Sequence, residues 1–306
     1  MQRRLFDYIV ISLKGIAMGA ADAVPGVSGG TIAFISGIYE ELITSISNVN
    51  LSLFKTLFKK GFVPFWKTLN GNFLVALLLG IVISFVSFMR LAKYLLENHP
   101  ILIWSFFFGL IVASIYFVGK QIQQWNFPIL VALITGIVIA FYVSQLSSLT
   151  TNEHSWFLFL AGAIAICAMI LPGISGSFIL IILGAYKTLS DALHDFDIKK
   201  ILVFVAGATI GLLSFSHVLK WLFKHYHNIT LALLTGFIFG SLNKVWPWKQ
   251  TLTWYTNAKG IKTPLLQKSI SPFSLNGDNQ ILFALLLMII GFLTIFILER
   301  LGSKKV

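Results

Sequence analysis

Apolar residues fall into six long runs, near 73–89, 101–119, 128–143, 201–216, 229–243 and 281–298. Each is about long enough to cross the hydrocarbon core of a bilayer as a helix. Two further apolar stretches are broken in the middle by a Pro-Gly pair. In the first, Tyr8–Asp22 precedes the break and Thr31–Ser45 follows it. Each leg has 15 residues, or about 22 Å of helix, against a core about 30 Å thick. The pattern therefore predicts a re-entrant hairpin over 8–45 that enters and leaves on one side. A second such hairpin is predicted over 156–190.

The two breaks are copies of each other. Ala23-Val-Pro-Gly-Val-Ser-Gly-Gly-Thr31 matches Ile170-Leu-Pro-Gly-Ile-Ser-Gly-Ser-Phe178. Pro25, Gly26, Ser28, Gly29, Gly37, Tyr39 and Leu42 meet Pro172, Gly173, Ser175, Gly176, Gly184, Tyr186 and Leu189 at a constant offset of 147. The match continues at an offset of 127, where Gly80, Ser87, Phe88, Lys93 and Leu95 meet Gly207, Ser214, Phe215, Lys220 and Leu222. Gly109, Ser114 and Val118 likewise meet Gly236, Ser241 and Val245, and a weaker third pair aligns Gly136 with Gly291. The chain thus reads as two repeats, 1–146 and 147–306, joined at the polar stretch 147–156. Each holds one hairpin and three crossings, and an odd number of crossings inverts the second repeat relative to the first. The predicted fold class is an all-α integral membrane protein with inverted-topology repeats.

Composition agrees with this class. Hydrophobic residues make up 57% of the 306 and charged ones 11%, and mean hydropathy is +0.86, far from soluble usage. No removable signal peptide is evident, because the apolar run after Arg3 and Arg4 leads into the first repeat without a small-residue cleavage site. A net charge of +12 fits basic loops at anionic headgroups, and no nucleic-acid partner is expected. Cys167 is the single cysteine, so no internal disulfide exists, and its apolar surroundings suit a packing role. With the N-terminus inside, thirteen Lys and Arg face the cytoplasm and ten face out. That bias places both termini in the cytoplasm. The loop 244–280, with Trp246, Trp248, Trp254 and Tyr255, is expected at the outer interface.

A Pro-Gly break in lipid is tolerated only where protein or water satisfies the freed backbone groups. A new helix opens just after each break, with Ser28 or Ser175 as N-cap. Its first N–H groups lack intrahelical partners and favour an anion, commonly phosphate. Ser28, Gly29, Gly30, Thr31, Ser175, Gly176 and Ser177 are therefore the candidate substrate-binding residues, and Pro25, Gly26, Pro172 and Gly173 form the turns. The competing reading is close helix packing by small residues. Paired interrupted segments in two halves favour a transporter's binding site.

Charged residues at depth sharpen the picture. Asp22 lies three residues before Pro25, and its repeat partner is Met169. An intramembrane carboxylate is functional by default, as proton carrier or ligand; otherwise it caps the broken backbone. Glu40 and Glu41, at the end of the first hairpin, are further coupling candidates. Arg90, after Ser84 and Ser87, is the expected cation for a phosphate, unless it snorkels to the interface with Lys93 and Lys220. No His-Glu-x-x-His motif, phosphate loop or cysteine pair is present, so neither enzyme chemistry nor a metal or cofactor is expected.

The paired motif resembles the bacterial polyprenyl-phosphate transporter family PopT, formerly a domain of unknown function, over nearly the whole chain. The resemblance implies return of undecaprenyl phosphate, the lipid carrier of cell-wall glycans such as peptidoglycan, from outer to inner leaflet of the cytoplasmic membrane. The residues alone reach an anion site in an inverted-repeat transporter. A carrier for a small soluble anion, and an intramembrane prenyl-pyrophosphate phosphatase, remain as alternatives. Ser177 for Gly30, and Met169 for Asp22, leave the two sites free to differ.

Overall fold

The computed structural model describes residues 3–22, 28–146, 154–256, 262–275 and 278–303. Pro25 and Gly26, named above as turn residues, lie outside these, as does most of the 147–156 junction. The first half runs α1 (Leu5–Asp22), α2 (Gly29–Ile35), α3 (Tyr39–Ser47), α4 (Leu51–Lys60), α5 (Phe62–Leu69), α6 (Gly71–Asn98), α7 (Pro100–Gly119) and α8 (Phe127–Gln145). The second runs α9 (Ser155–Ile170), α10 (Gly176–Ile182), α11 (Tyr186–His194), α12 (Ile198–His225), α13 (His227–Gly240), α14 (Leu242–Val245) and α15 (Ile281–Ser303).

The chain is a helical, multi-pass membrane protein. Among the described residues, five helical segments are long and apolar enough to cross a bilayer, beginning at Gly71, Pro100, Phe127, Ile198 and His227, and Ile281–Ile297 is a shorter apolar helix. Their outward side chains are apolar, as in Leu78, Val82 and Val86 of α6 or Leu202, Val205 and Ile210 of α12. Lipid contact requires this inversion of soluble patterning. The spans at Pro100–Gly119 and His227–Val245 are 56% and 61% buried, against 17% for those of α8 and α12. Helices α7 and α13 therefore form the centre.

Helix pairs meet through small residues. Gly15 and Gly19 of α1 lie on Leu77 and Ile81 of α6, so these helices run parallel. Gly162 of α9 lies on Phe204 of α12 in the same way, and Gly211 on Ala163. A Cβ at Gly80 would strike the Ser12 carbonyl, and one at Gly207 the carbonyl of Phe159. Gly136 meets Leu233 and Gly236 meets Leu133, while Gly291 meets Phe106 and Gly109 meets Met288. These contacts pair off between the halves at the same offsets as the sequence. Such backbone approach is how membrane helices gain dispersion energy without a hydrophobic drive.

The leg after each Pro-Gly break is not the single helix expected over 31–45. It divides into α2 and α3, and in the second half into α10 and α11, which are bent by 108°. Gly37 (φ +72°) and Gly184 (φ +70°) make the corners. Each closes the preceding helix, with Ile38 N–H donating to Ala33 O at 3.1 Å and Ala185 N–H to Leu180 O at 2.9 Å. This left-handed C-terminal motif suits glycine, which has no Cβ to clash.

The chain still returns to the face on which it started. Arg3 Nη1 and Nη2 donate to Glu41 at 2.6 Å each, and Asn70, just before α6, donates to Glu41 Oε1 at 2.7 Å. We call this the near face. Helices α8 and α13 run from it to the far face, where α9 and α12 begin. There the segment read as an interfacial loop is partly a β-ribbon, β1 (Lys249–Thr256) antiparallel to β2 (Lys262–Ser269). Trp246 Nε1 donates to Ile270 O and Trp248 Nε1 to Asn279 O, which fixes the ribbon's base.

Candidate functional site

Residues just after the first break meet the second break inside the molecule. Gly173 N–H donates to Thr31 Oγ1 at 2.9 Å, and Ser28 Oγ donates to Met169 O at 3.2 Å. Side chains of the first copy thus satisfy backbone groups at the second break, as irregular structure at membrane depth requires.

Around the first break the polar groups are engaged. Ser28 has the extended backbone of an N-cap (φ −123°, ψ 130°), and its Oγ accepts from Gly30 N–H at 3.1 Å. Asp22 Oδ1 accepts from Gly29 N–H at 2.7 Å. Ser28 and Thr31 are 2% and 1% exposed. A Cβ at Gly30 would lie 2.6 Å from the carbonyl oxygen of Ile170, so no ligand atom fits between them. The carboxylate of Asp22 occupies the donor that the sequence offered to phosphate, the position of a backbone cap.

The second break is different. Ser175 is the N-cap of α10 by position, yet its side chain accepts from no backbone N–H. Instead Ser175 Oγ shares a hydrogen with Ser177 Oγ at 2.9 Å, and Ser177 is exposed. Pro172 and Gly176 are buried behind it. The loop borders a small, half-open cleft lined by Ala140, Val143 and Ser144 at the end of α8, by Gly173, Ile174, Ser175 and Phe178, and by Ser241 and Lys244. Lys244 Nζ sits 3.8 Å from the centre of the Phe178 ring. Below it Lys249 Nζ donates to Lys244 O at 2.6 Å and lies 3.5 Å from the Trp104 ring centre. Burial, then the charge of Lys244, push Lys249 well below the ordinary lysine pKa. The cleft lies toward the far face, where α8 and α13 end.

The other expected site residues lie elsewhere. Arg90 is exposed on α6 and does not line the cleft, which Lys244 does. From the register of α1 on α6, Arg90 lies beyond Ser84, which packs against Gly19. Lys220 donates to Asn48 Oδ1 at 3.0 Å near α3. Glu41 is held by Arg3 and Asn70, and Glu40 Oε1 is 3.0 Å from His227 Nε2, so both carboxylates tie helices together at the near face. Lys244 and Ser241 were not singled out by sequence, since Lys244 read as the first residue of an outer loop. The available signal was its mismatch with Phe117 at the 127-residue offset, the same kind of asymmetry that marked Asp22.

Fold and site together define a multi-pass helical membrane protein whose two interrupted segments are hydrogen-bonded to each other, the second of them beside a small cleft. The chain belongs to the VCA0040-like family, described as undecaprenyl phosphate translocase-like, whose model matches residues 18–263. It is similar to a Vibrio cholerae serotype O1 protein named polyprenyl-phosphate transporter, with 45% identity over 308 residues covering 99% of this chain and 100% of the relative. A Staphylococcus aureus protein of the same name is 33% identical over 260 residues, covering 79% of this chain and 87% of that one. No solved structure matches.

Proposed function

We propose that this protein is a carrier, not an enzyme, that moves polyprenyl phosphate between the leaflets of the bacterial cytoplasmic membrane. The cargo is undecaprenyl phosphate, returned from the outer to the inner leaflet for reuse in wall-glycan synthesis. Supporting the reading is the meeting of the two motif copies, Gly173 on Thr31 and Ser28 on Met169, in a chain of this family. An isolated charge in about 30 Å of hydrocarbon costs several kcal/mol or more. A polar path along the paired turns lowers that barrier for the headgroup. The prenyl tail stays in lipid beside α8, whose outer face is apolar at Ile134, Val138 and Phe141. The two halves act as inverted repeats with both termini in the cytoplasm, which makes the far face the outer one.

Movement is coupled to a proton through Asp22, the carboxylate at the first break. Its bond to Gly29 N–H has to open when the headgroup passes from the second turn toward the near face. Asp22→Asn should then abolish the pH-gradient dependence of transport while phosphate binding persists. A full response in that variant would leave Asp22 as a cap.

Leaflet-resolved transport of labelled polyprenyl phosphate in proteoliposomes holding this protein alone tests the whole reading. Transfer above that of protein-free vesicles is expected, and Ser175→Ala should slow it several-fold. Transfer no faster than in empty vesicles would overturn the proposal. Uptake of inorganic phosphate alone would make the protein a soluble-anion carrier, and hydrolysis of prenyl pyrophosphate would make it a phosphatase.

A further inference from the structure

We propose that the cleft at the second turn is a loading site for a phosphate monoester headgroup, and that Lys244 is its cation. This rests on the reading of the protein as a polyprenyl phosphate carrier. An ammonium group carries three donors. Among the described residues, no oxygen accepts from Lys244 Nζ and no carboxylate pairs with it; its neighbour is the ring of Phe178 at 3.8 Å. A cation held on an aromatic face leaves hydrogens free for an anion.

The surroundings suit a compact anion. Ser144 and Ser241 donate to Phe141 O and Ile238 O of their own helices, both at 2.7 Å, so they serve an anion only by turning those hydrogens away from the helix. Ser175 exchanges its hydrogen with Ser177 and can turn it toward a ligand at little cost. Lys249 grips the Lys244 carbonyl from beneath, which fixes the backbone from which Lys244 projects. Among the described residues, no acidic side chain lines the cleft. A headgroup seated there meets one mobile hydroxyl and one ammonium, while α8 offers the tail a way out to lipid.

Among the described residues the site has no counterpart in the first half. Phe117 takes the repeat position of Lys244, and the donors of Gly29 and Gly30 are taken by Asp22 and Ser28. Loading therefore occurs at the far face, and the near face releases the headgroup without a matching cation.

Binding of farnesyl phosphate, with farnesol as control, to the detergent-solubilised full chain tests this. Lys244→Gln should weaken farnesyl phosphate by about tenfold or more, the worth of a charged hydrogen bond, and Lys244→Arg by about threefold or less. In a Cys167→Ser background, Ser144→Cys should be shielded from thiol reagents by farnesyl phosphate and not by farnesol. Unchanged affinity in Lys244→Gln, in protein whose wild type transports the lipid, would overturn the site and leave the function standing. If Lys244→Gln does not fold, the shielding experiment decides, and absent shielding overturns the proposal. Shielding by inorganic phosphate in a protein that moves no prenyl phosphate would keep the site and remove the function.

Discussion

Ser28-Gly29 and Ser175-Gly176 are the same residues at equivalent places in the two motif copies, yet the structure leaves them in opposite conditions. Near the first, Ser28 caps Gly30, Asp22 caps Gly29 and Thr31 accepts from the other turn, with Ser28, Gly29 and Thr31 buried. At the second, Ser175 caps nothing and faces a cleft with Lys244. Two changes account for the difference. Asp22 stands where the second copy has Met169, and Gly30 where it has Ser177. A duplicated motif supplies two equivalent sets of donors, and its neighbours decide which set is free to bind.

Exchanging the differing residues should break this contrast most sharply. Gly30→Ser places a Cβ 2.6 Å from Ile170 O and 3.0 Å from Met169 O, where backbone has to move. Overpacking of that kind costs about 1–3 kcal/mol, so thermal unfolding in detergent should fall by several degrees. The reverse exchange, Ser177→Gly at an exposed position, should leave the midpoint nearly unchanged. Equal losses in both variants would mean that the turns are packed alike.

Asp22 gives the next largest effect. Asp22→Ala leaves Gly29 N–H without its acceptor and should cost about 1 kcal/mol, the usual worth of a helix cap. Asp22→Asn keeps an oxygen for that bond and should lose less, measured by denaturant unfolding. If alanine and asparagine cost the same, the bond is not what holds the first turn closed.

A smaller effect concerns the base of the second cleft. Lys249 is depressed below its unfolded value of 10.5, so between those limits the unfolded chain binds the additional proton. Stability should therefore rise with pH as it approaches 10.5 and level off above. Lys249→Met should flatten that rise in thermal unfolding curves. Smallest of all is Arg90→Gln: because Arg90 is exposed outside the cleft, farnesyl phosphate affinity should stay within about twofold. A tenfold loss would return the headgroup cation to α6.

The sequence by itself determined where the chain is apolar, where it breaks, and that the breaks are duplicated. Those properties are local: hydropathy over a span, a proline without an N–H, a repeat at fixed offset. It also marked Asp22, because a carboxylate in an apolar run is conspicuous without any structure. The corners at Gly37 and Gly184 were present in the chain but escaped a reading by leg length, since a left-handed glycine and a helical one look alike in sequence. Tertiary structure decided the rest. Asp22 bonds Gly29 because the chain folds back across the break, and Lys244 faces Ser175 because α8, α13 and the second hairpin converge toward the far face. Which donors are spent and which stay free depends on contacts between residues far apart in the chain, and no local pattern encodes them.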